Sequence, residues 1–253
     1  MNVGFRYPFG RPVTRRPPSA HEQRALFVLG AYPSALHVEW RPPAGGKLVR
    51  ALPIDDEPEP FWNGEDASDR LAAWISSTRL DPDRDGTFRI PSGLNGPSGA
   101  WVDRNVLTPL GQSRATTWIT DCLDTYRMST GVEARIADTY DNGTRPGARL
   151  LPHPSESAVV AEALNEHHSR LLDELDLCRP TVVVTLGNAA ARVFSELVGV
   201  PQRKLTVAGY GQRVEVAVNG SAAIWLPLAH PAAPPRYQMT HELWAATRQR
   251  PAQ

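Results

Sequence analysis

Residues 180–194 read PTVVVTLGNAAARVF, and this stretch decides the fold. Thr181–Leu186 is an unbroken run of β-branched and aliphatic side chains. Without polar alternation, such a run suits a strand covered on both faces, as in a parallel sheet. Gly187-Asn188 then turns the chain into Ala189–Val198, which is predicted to be a helix. On the upstream side, Ser155 precedes a helix of roughly twenty residues, with Val159, Val160, Ala163, Leu164, His168, Leu171, Leu172 and Leu175 at helical spacing and Pro180 as its stop. Two earlier runs share the strand character, Ala25–Gly30 (ALFVLG) and Thr116–Asp121 (TTWITD). Downstream, Arg213–Val218 and Ala222–Leu228 predict a hairpin that leads into Ala229-His230-Pro231, with a last helix from about Thr240.

Strand, glycine turn and helix recur at crossover lengths that suit right-handed βαβ units. The expected fold class is therefore α/β, a three-layer sandwich with a central, mainly parallel sheet, over residues 21–253 as one domain. Between these units, Leu36–Trp40 and Lys47–Ile54 predict a second hairpin, Asp69–Arg79 a helix and Ala100–Leu110 a short helix. Residues 80–99 and 127–153 read as irregular loops. Residues 1–20 form an arm in which Arg6, Arg11, Arg15 and Arg16 alternate with Phe5, Tyr7 and Phe9. That composition suits either contact with a single nucleic-acid strand or a poorly ordered tail. In open α/β sheets ligands sit beyond the carboxyl ends of the strands. Four loops are expected to meet there: Gly30–Ala35, Asp121–Arg127, Gly187-Asn188 and His230–Arg236.

The charge arithmetic narrows the partner. The 253 residues carry 27 basic and 27 acidic side chains, so the formal charge is zero and no global basic excess exists to coat phosphates. Only Lys47 and Lys204 among the basic residues are lysine. Two cysteines, Cys122 and Cys178, are too few for a disulfide framework, an iron–sulfur cluster or a four-cysteine zinc site. Proline, at 24 residues, is nearly twice the usual ~5% and implies many rigid loops. No apolar run approaches the ~20 residues needed to cross a bilayer, and the N-terminus lacks an apolar leader. The expected setting is the cytoplasm, with no membrane partner. Neither G-x-x-x-x-G-K-[ST] nor G-x-G-x-x-G occurs, so no nucleotide cofactor and no metal are expected.

Taken in order, four stretches resemble the uracil-DNA glycosylase superfamily: VLGAYPSA (28–35), NGPSGAWVDRNVLTPLG with TTWITDCLDTYRMS (95–129), PTVVVTLGNAAARVF (180–194) and PLAHPAAP (227–234). The resemblance covers about residues 24–240. It implies hydrolysis of an N-glycosidic bond in DNA, with the target nucleotide flipped into a pocket. Negative charge grows on the departing base, and a donor held against it acts as an oxyanion hole does.

By its place in His-Pro-x, His230 takes the leaving-base role; the plainer alternative is a histidine at the end of a core hairpin. His153, His167 and His168 have no such context and are expected to be structural. Asp121 stands where uracil-directed relatives carry asparagine. An ionised carboxylate only accepts hydrogen bonds, which suits the exocyclic amine of cytosine or adenine and repels uracil O4. The alternative is that Asp121 caps its loop or pairs with Arg127. Within the first motif, Gly30 is followed by Ala31 and Tyr32, where relatives carry an acid or amide, so the water-orienting carboxylate must come from elsewhere. Glu39 is the first candidate, paired with His37 on one strand face, and Asp55 the second; Asp56 and Glu57 are also near. Leu94-Asn95 occupies the place of the family's stacking phenylalanine, which leaves Phe61 or Trp62 to supply a π-face. Ser98, Gly99, Arg127, Gly187, Asn188 and Arg236 are candidate contacts to the DNA backbone.

The resulting expectation is a monomeric, metal-independent DNA glycosylase for a flipped and modified amino-bearing base, in repair or in attack on foreign DNA. Two alternatives stand beside it. One is a catalytically impaired DNA-binding module of the same fold, suggested by Ala31 and Tyr32. The other is a nucleoside or nucleotide hydrolase, suggested by the zero charge.

Overall fold

In the computed structural model, which describes residues 5–7, 22–45, 47–131, 134 and 148–249, the apolar runs become one five-stranded sheet. Its strands are β2 (Leu26–Gly30), β6 (Thr117–Asp121), β9 (Val182–Leu186), β10 (Val214–Val218) and β11 (Ser221–Leu228). The order is β10-β11-β9-β2-β6, with β11, β9, β2 and β6 mutually parallel and only edge strand β10 antiparallel.

Period-two alternation sends the side chains of these strands into two cores. Phe27, Leu29, Trp118, Val183 and Trp225 pack against helices Glu156–Glu166, His168–Cys178 and Asn188–Val198. Leu26, Val28, Ile119, Val184, Leu226 and Leu228 pack against the helical segment from Pro97 to Leu110 and against helix Pro235–Gln249. This is the expected α/β three-layer sandwich with a mainly parallel central sheet. Both fully buried indoles in the first core have acceptors, Trp225 Nε1–H on Thr185 Oγ1 at 2.9 Å and Trp118 Nε1–H on Glu174 Oε2 at 3.3 Å. Their apolar area is therefore buried without an orphaned donor.

A second, antiparallel sheet flanks the first: β4 (Val49–Asp56), β3 (Ala35–Arg41) and β5 (Thr87–Arg89), in the order β4-β3-β5. The predicted 36–54 hairpin accounts for β3 and β4, and helix Ala67–Thr78 covers them through Leu71 and Trp74. The register breaks twice, between Leu36 and His37 and between Val38 and Trp40. These bulges turn the strand locally.

Three readings change. Residues 80–99 hold a short helix, Pro82–Asp85, and strand β5. Trp40 Nε1–H fixes the turn by donating to the Asp85 carbonyl at 2.8 Å, and Asp81 caps the helix on the Asp83 amide at 2.9 Å. Residues 127–153 are not wholly irregular either. β7 (Arg127–Met128) runs parallel to β8 (Ala148–Pro152), and β8 pairs antiparallel with β1 (Phe5–Tyr7). The N-terminal arm thus contributes a strand, while residues 1–4 and 8–20 lie outside the described residues. Finally, the long helix after Ser155 is two helices joined at His167, whose backbone sits at φ −118° and ψ 3° and whose Nδ1 lies 3.7 Å from Asp124 Oδ2.

Candidate active site

A cavity of about 500 Å³ opens beyond the carboxyl ends of the parallel strands. All four expected loops reach it. Ala31–Ser34 follow β2, Asp121 ends β6 with Tyr126 and Arg127 after it, Gly187 and Asn188 follow β9, and His230 follows β11. Phe61, Leu94, Ser98 and Gly99 close it from the side of the second sheet.

Asp121 is the last residue of β6 and is 6% exposed. Arg170, on helix His168–Cys178, holds it from below. Its Nη2 donates to the carbonyls of Asp121 at 2.9 Å and Cys122 at 2.8 Å, while its Nη1 pairs with Glu174 at 2.7 Å. Gly30, paired with Asp121 across β2 and β6, lies under both Asp121 and Phe61. A Cβ on Gly30 would overlap Asp121 Oδ1 and the Phe61 ring. Phe61 itself adopts φ +54°, a rare conformation for a bulky residue. Arg114 holds that turn by donating to the Phe61 carbonyl, to the Pro60 carbonyl at 3.3 Å and to Glu59 Oε1 at 3.0 Å. Gly99 packs directly on the Phe61 and Trp62 carbonyls, where a Cβ would not fit.

His230 faces the cavity from the opposite loop. Its Nδ1 accepts the Ala232 backbone N–H at 3.1 Å, and its own carbonyl accepts from Ala233 at 2.8 Å. Because Nδ1 is an acceptor there, the neutral ring carries its proton on Nε2. Burial holds the imidazole below its ordinary pKa, so this neutral donor form persists. Gly187, at φ +91°, comes close enough that a Cβ would lie 3.3 Å from His230 Cβ, and its amide donates to the Leu228 carbonyl at 2.8 Å.

The remaining lining brings together two tyrosine hydroxyls, two imidazoles and one guanidinium. Tyr32 hydrogen-bonds through its hydroxyl to His153 Nε2, and the two rings meet edge to face at 5.4 Å. The Tyr126 hydroxyl lies 3.3 Å from His37 Nε2, and burial pushes the His37 pKa down to about 4. Arg127 is buried and ion-paired with Glu162.

Several expected residues stand elsewhere. Glu39 does not line the cavity; it pairs with Arg89 and lies 3.9 Å from Arg50. The bulges in β3 separate it from His37, so the two form no pair. Asp55 is partly buried on β4 and also stands outside the lining. Of Glu39, Asp55, Asp56 and Glu57, the one in the wall is Glu57, 4% exposed, which lines the cavity together with Asp121 and Glu156. Asn95 engages the His37 backbone with both amide atoms, accepting its N–H and donating to its carbonyl at 2.8 Å each. Arg236 is exposed at the start of the last helix, with its guanidinium 5.1 Å from the Tyr237 ring centroid.

The family model of the Uracil DNA glycosylase superfamily matches residues 55–248, well over half of the chain. The chain belongs to that superfamily. No curated protein matches it. The matched stretch carries Asp121, Gly187 and His230 and begins after Ala31 and Tyr32. Superfamily membership points to DNA glycosylase activity. Among the described residues no helix is long and apolar enough to cross a membrane.

Three groups in or beneath this cavity carry little signal in the sequence. Tyr126 is unremarkable beside Arg127, His153 reads as structural, and Arg170 reads as one more exposed helical cation. Only the register of Arg170 with Glu174, four residues on, hinted at a fixed position.

Proposed function

We propose that this chain is a monofunctional DNA glycosylase that hydrolyses the N-glycosidic bond of a flipped, amino-bearing base, with a C5-modified cytosine favoured. It acts as a cytoplasmic monomer, in repair or against foreign DNA. The observation that carries this reading is Asp121, an acceptor-only carboxylate in the cavity at the place where uracil-directed relatives carry asparagine. Cytosine N4 offers the donor that such a group requires. Phe61, held over Gly30 and beside Asp121, supplies a face for the base to stack upon.

The chemistry follows from the two sides of the pocket. His230 Nε2–H stabilises the negative charge that grows on the departing base. Glu57 takes the role first sought at Glu39 and Asp55, orienting water and favouring the cation-like sugar. Gly187, Asn188 and Ser98 line the cavity and suit contacts to phosphates flanking a flipped nucleotide, whereas Gly99 is buried against the Phe61 and Trp62 carbonyls. Arg127 is buried against Glu162 and suits the base side of the pocket better than the backbone. A modified base is supported by volume and polarity. A cavity of about 500 Å³ lined by Tyr32, His37, Tyr126, Arg127 and His153 offers more hydrogen-bonding groups than a bare pyrimidine edge can engage.

The test is a panel of duplexes carrying uracil, hypoxanthine, cytosine, 5-hydroxymethylcytosine or glucosylated 5-hydroxymethylcytosine, with alkali-labile abasic sites as readout. Release of a modified cytosine, greatly slowed but still measurable in His230→Ala, is the expected result. Robust release of uracil alone would remove the amino-base reading. Tight binding to every duplex without release would leave a DNA-binding module, and salt-insensitive cleavage of free nucleosides would leave a nucleoside hydrolase.

A further inference from the structure

Behind His230 a second histidine is wholly buried and does not touch the cavity. His241, on helix Pro235–Gln249, is 1% exposed, and both of its ring nitrogens are engaged. Nε2 lies 2.7 Å from the Asn105 carbonyl, and Nδ1 lies 2.5 Å from the Tyr210 hydroxyl. A carbonyl only accepts, so Nε2 carries the proton and Nδ1 accepts from Tyr210. The Tyr210 oxygen in turn accepts the backbone N–H of Ala229 at 2.9 Å. Ala229 immediately precedes His230. Every donor in this chain of groups has one acceptor, so its direction is fixed from the Ala229 amide to the Asn105 carbonyl.

The packing around the chain of groups is tight. The His241 ring lies 4.5 Å from the Trp101 centroid and 5.0 Å from Trp244. A Cβ on Gly211, next to Tyr210, would overlap Trp244. The end of β11 is therefore held on two sides, by Gly187 N–H on the Leu228 carbonyl and by Tyr210 on the Ala229 amide.

We propose that Tyr210 and His241 are positioning residues that set the height and orientation of His230, tying the helical segment at Asn105 to the strand end that presents the leaving-base donor. This rests on the glycosylase reading of His230. Without the Tyr210 hydroxyl, the Ala229 N–H loses its buried acceptor and the turn carrying His230 relaxes. A small misplacement of a catalytic group costs far more in rate than in binding.

The test compares Tyr210→Phe, His241→Leu and His241→Asn, each in the otherwise wild-type chain, and Tyr210→Phe also in the His230→Ala background. Tyr210→Phe and His241→Leu are expected to lower kcat by roughly 10- to 100-fold with the Kd for abasic duplex unchanged. His241→Asn, which keeps an acceptor for Tyr210, is expected to recover most of that loss. In the His230→Ala background the Tyr210→Phe effect should vanish, because nothing remains to be positioned. The second readout is the 15N spectrum of the His230 imidazole, which is expected to show one tautomer in the wild type and a mixture in Tyr210→Phe. Equal losses in both backgrounds, or an unchanged His230 spectrum in folded Tyr210→Phe, would overturn the proposal. If no duplex is cleaved, the glycosylase reading fails while the spectrum still decides the positioning. Should Tyr210→Phe not fold, the His241→Leu and His241→Asn pair carries both readouts.

Discussion

Gly30 and Asp121 are register partners on adjacent parallel strands, and the glycine leaves no space between its Cα and the carboxylate above it. A side chain there has nowhere to go but into Asp121 Oδ1 and the ring of Phe61. Gly30→Ala is therefore expected to displace both the Asp121 carboxylate and the Phe61 ring, to which the proposed function assigns base reading and stacking. Overpacking of this kind costs about 1–3 kcal/mol of stability. Activity should fall by about 100-fold or more, because two contacts to the base are lost together. Urea denaturation and single-turnover kinetics on the same preparation check both parts. Full activity in Gly30→Ala would show that the base does not rest on this floor.

Asp121→Asn changes a pure acceptor into a group that also donates. The expected outcome is a shift toward bases with a carbonyl at the same edge, with amino-bearing bases losing roughly 10- to 100-fold in kcat/KM. Competition between a cytosine-type and a uracil-type duplex reads the ratio directly. An unchanged ratio would mean that Asp121 does not contact the base.

Arg170 holds the backbone that carries the same residue, through the Asp121 and Cys122 carbonyls. Arg170→Met keeps the aliphatic stem against the core but removes the donors to the Asp121 and Cys122 carbonyls. The loop after β6 should loosen and kcat should fall about tenfold, with a smaller change in duplex affinity. Hydrogen exchange at residues 121–127 should rise in parallel. Unaltered exchange would indicate that Arg170 serves only the 168–178 helix.

The chain should lose stability in mild acid. His37 is buried with its pKa pushed from 6.5 to about 4, and in the unfolded chain it titrates near 6.5. Between those values the unfolded state binds a proton that the folded state does not, so stability is full above about 6.5 and falls as pH drops toward 4. This one residue contributes about 3 kcal/mol to that loss. His230, His241 and His167 are displaced in the same direction by burial and steepen the slope. Denaturant melts at several pH values should show the trend, with His37→Phe flattening it. A slope equal in wild type and His37→Phe would assign the loss to other groups.

Three of the four parallel strands, β2, β6 and β9, were legible in the sequence because a strand covered on both faces reads as a continuous apolar run, and Thr181–Leu186 does so without interruption; β11 was legible only as an arm of its hairpin with β10. His230 and Asp121 were legible as residues at or just past the ends of two of those strands. Which of the neighbouring carboxylates faces the cavity was not. Glu39, Asp55 and Glu57 lie within nineteen residues of one another and are chemically alike. Two bulges in β3 and the turn after β4 decide which one faces the cavity. Asn95 was misleading for a similar reason: its partner is the backbone of His37, and backbone groups leave no mark in a sequence. The contact of Tyr32 with His153 spans 121 positions and crosses a stretch that reads as loop.

The amide of Ala232 has a final consequence. By donating to Nδ1 of His230, it occupies the only lone pair that the neutral ring has to offer, while the other nitrogen already holds its hydrogen. Such an imidazole can lend a proton's pull to a departing anion but cannot draw one from water. At neutral pH His230 is thus wired in one direction: it offers a hydrogen to the pocket and takes none from a water there.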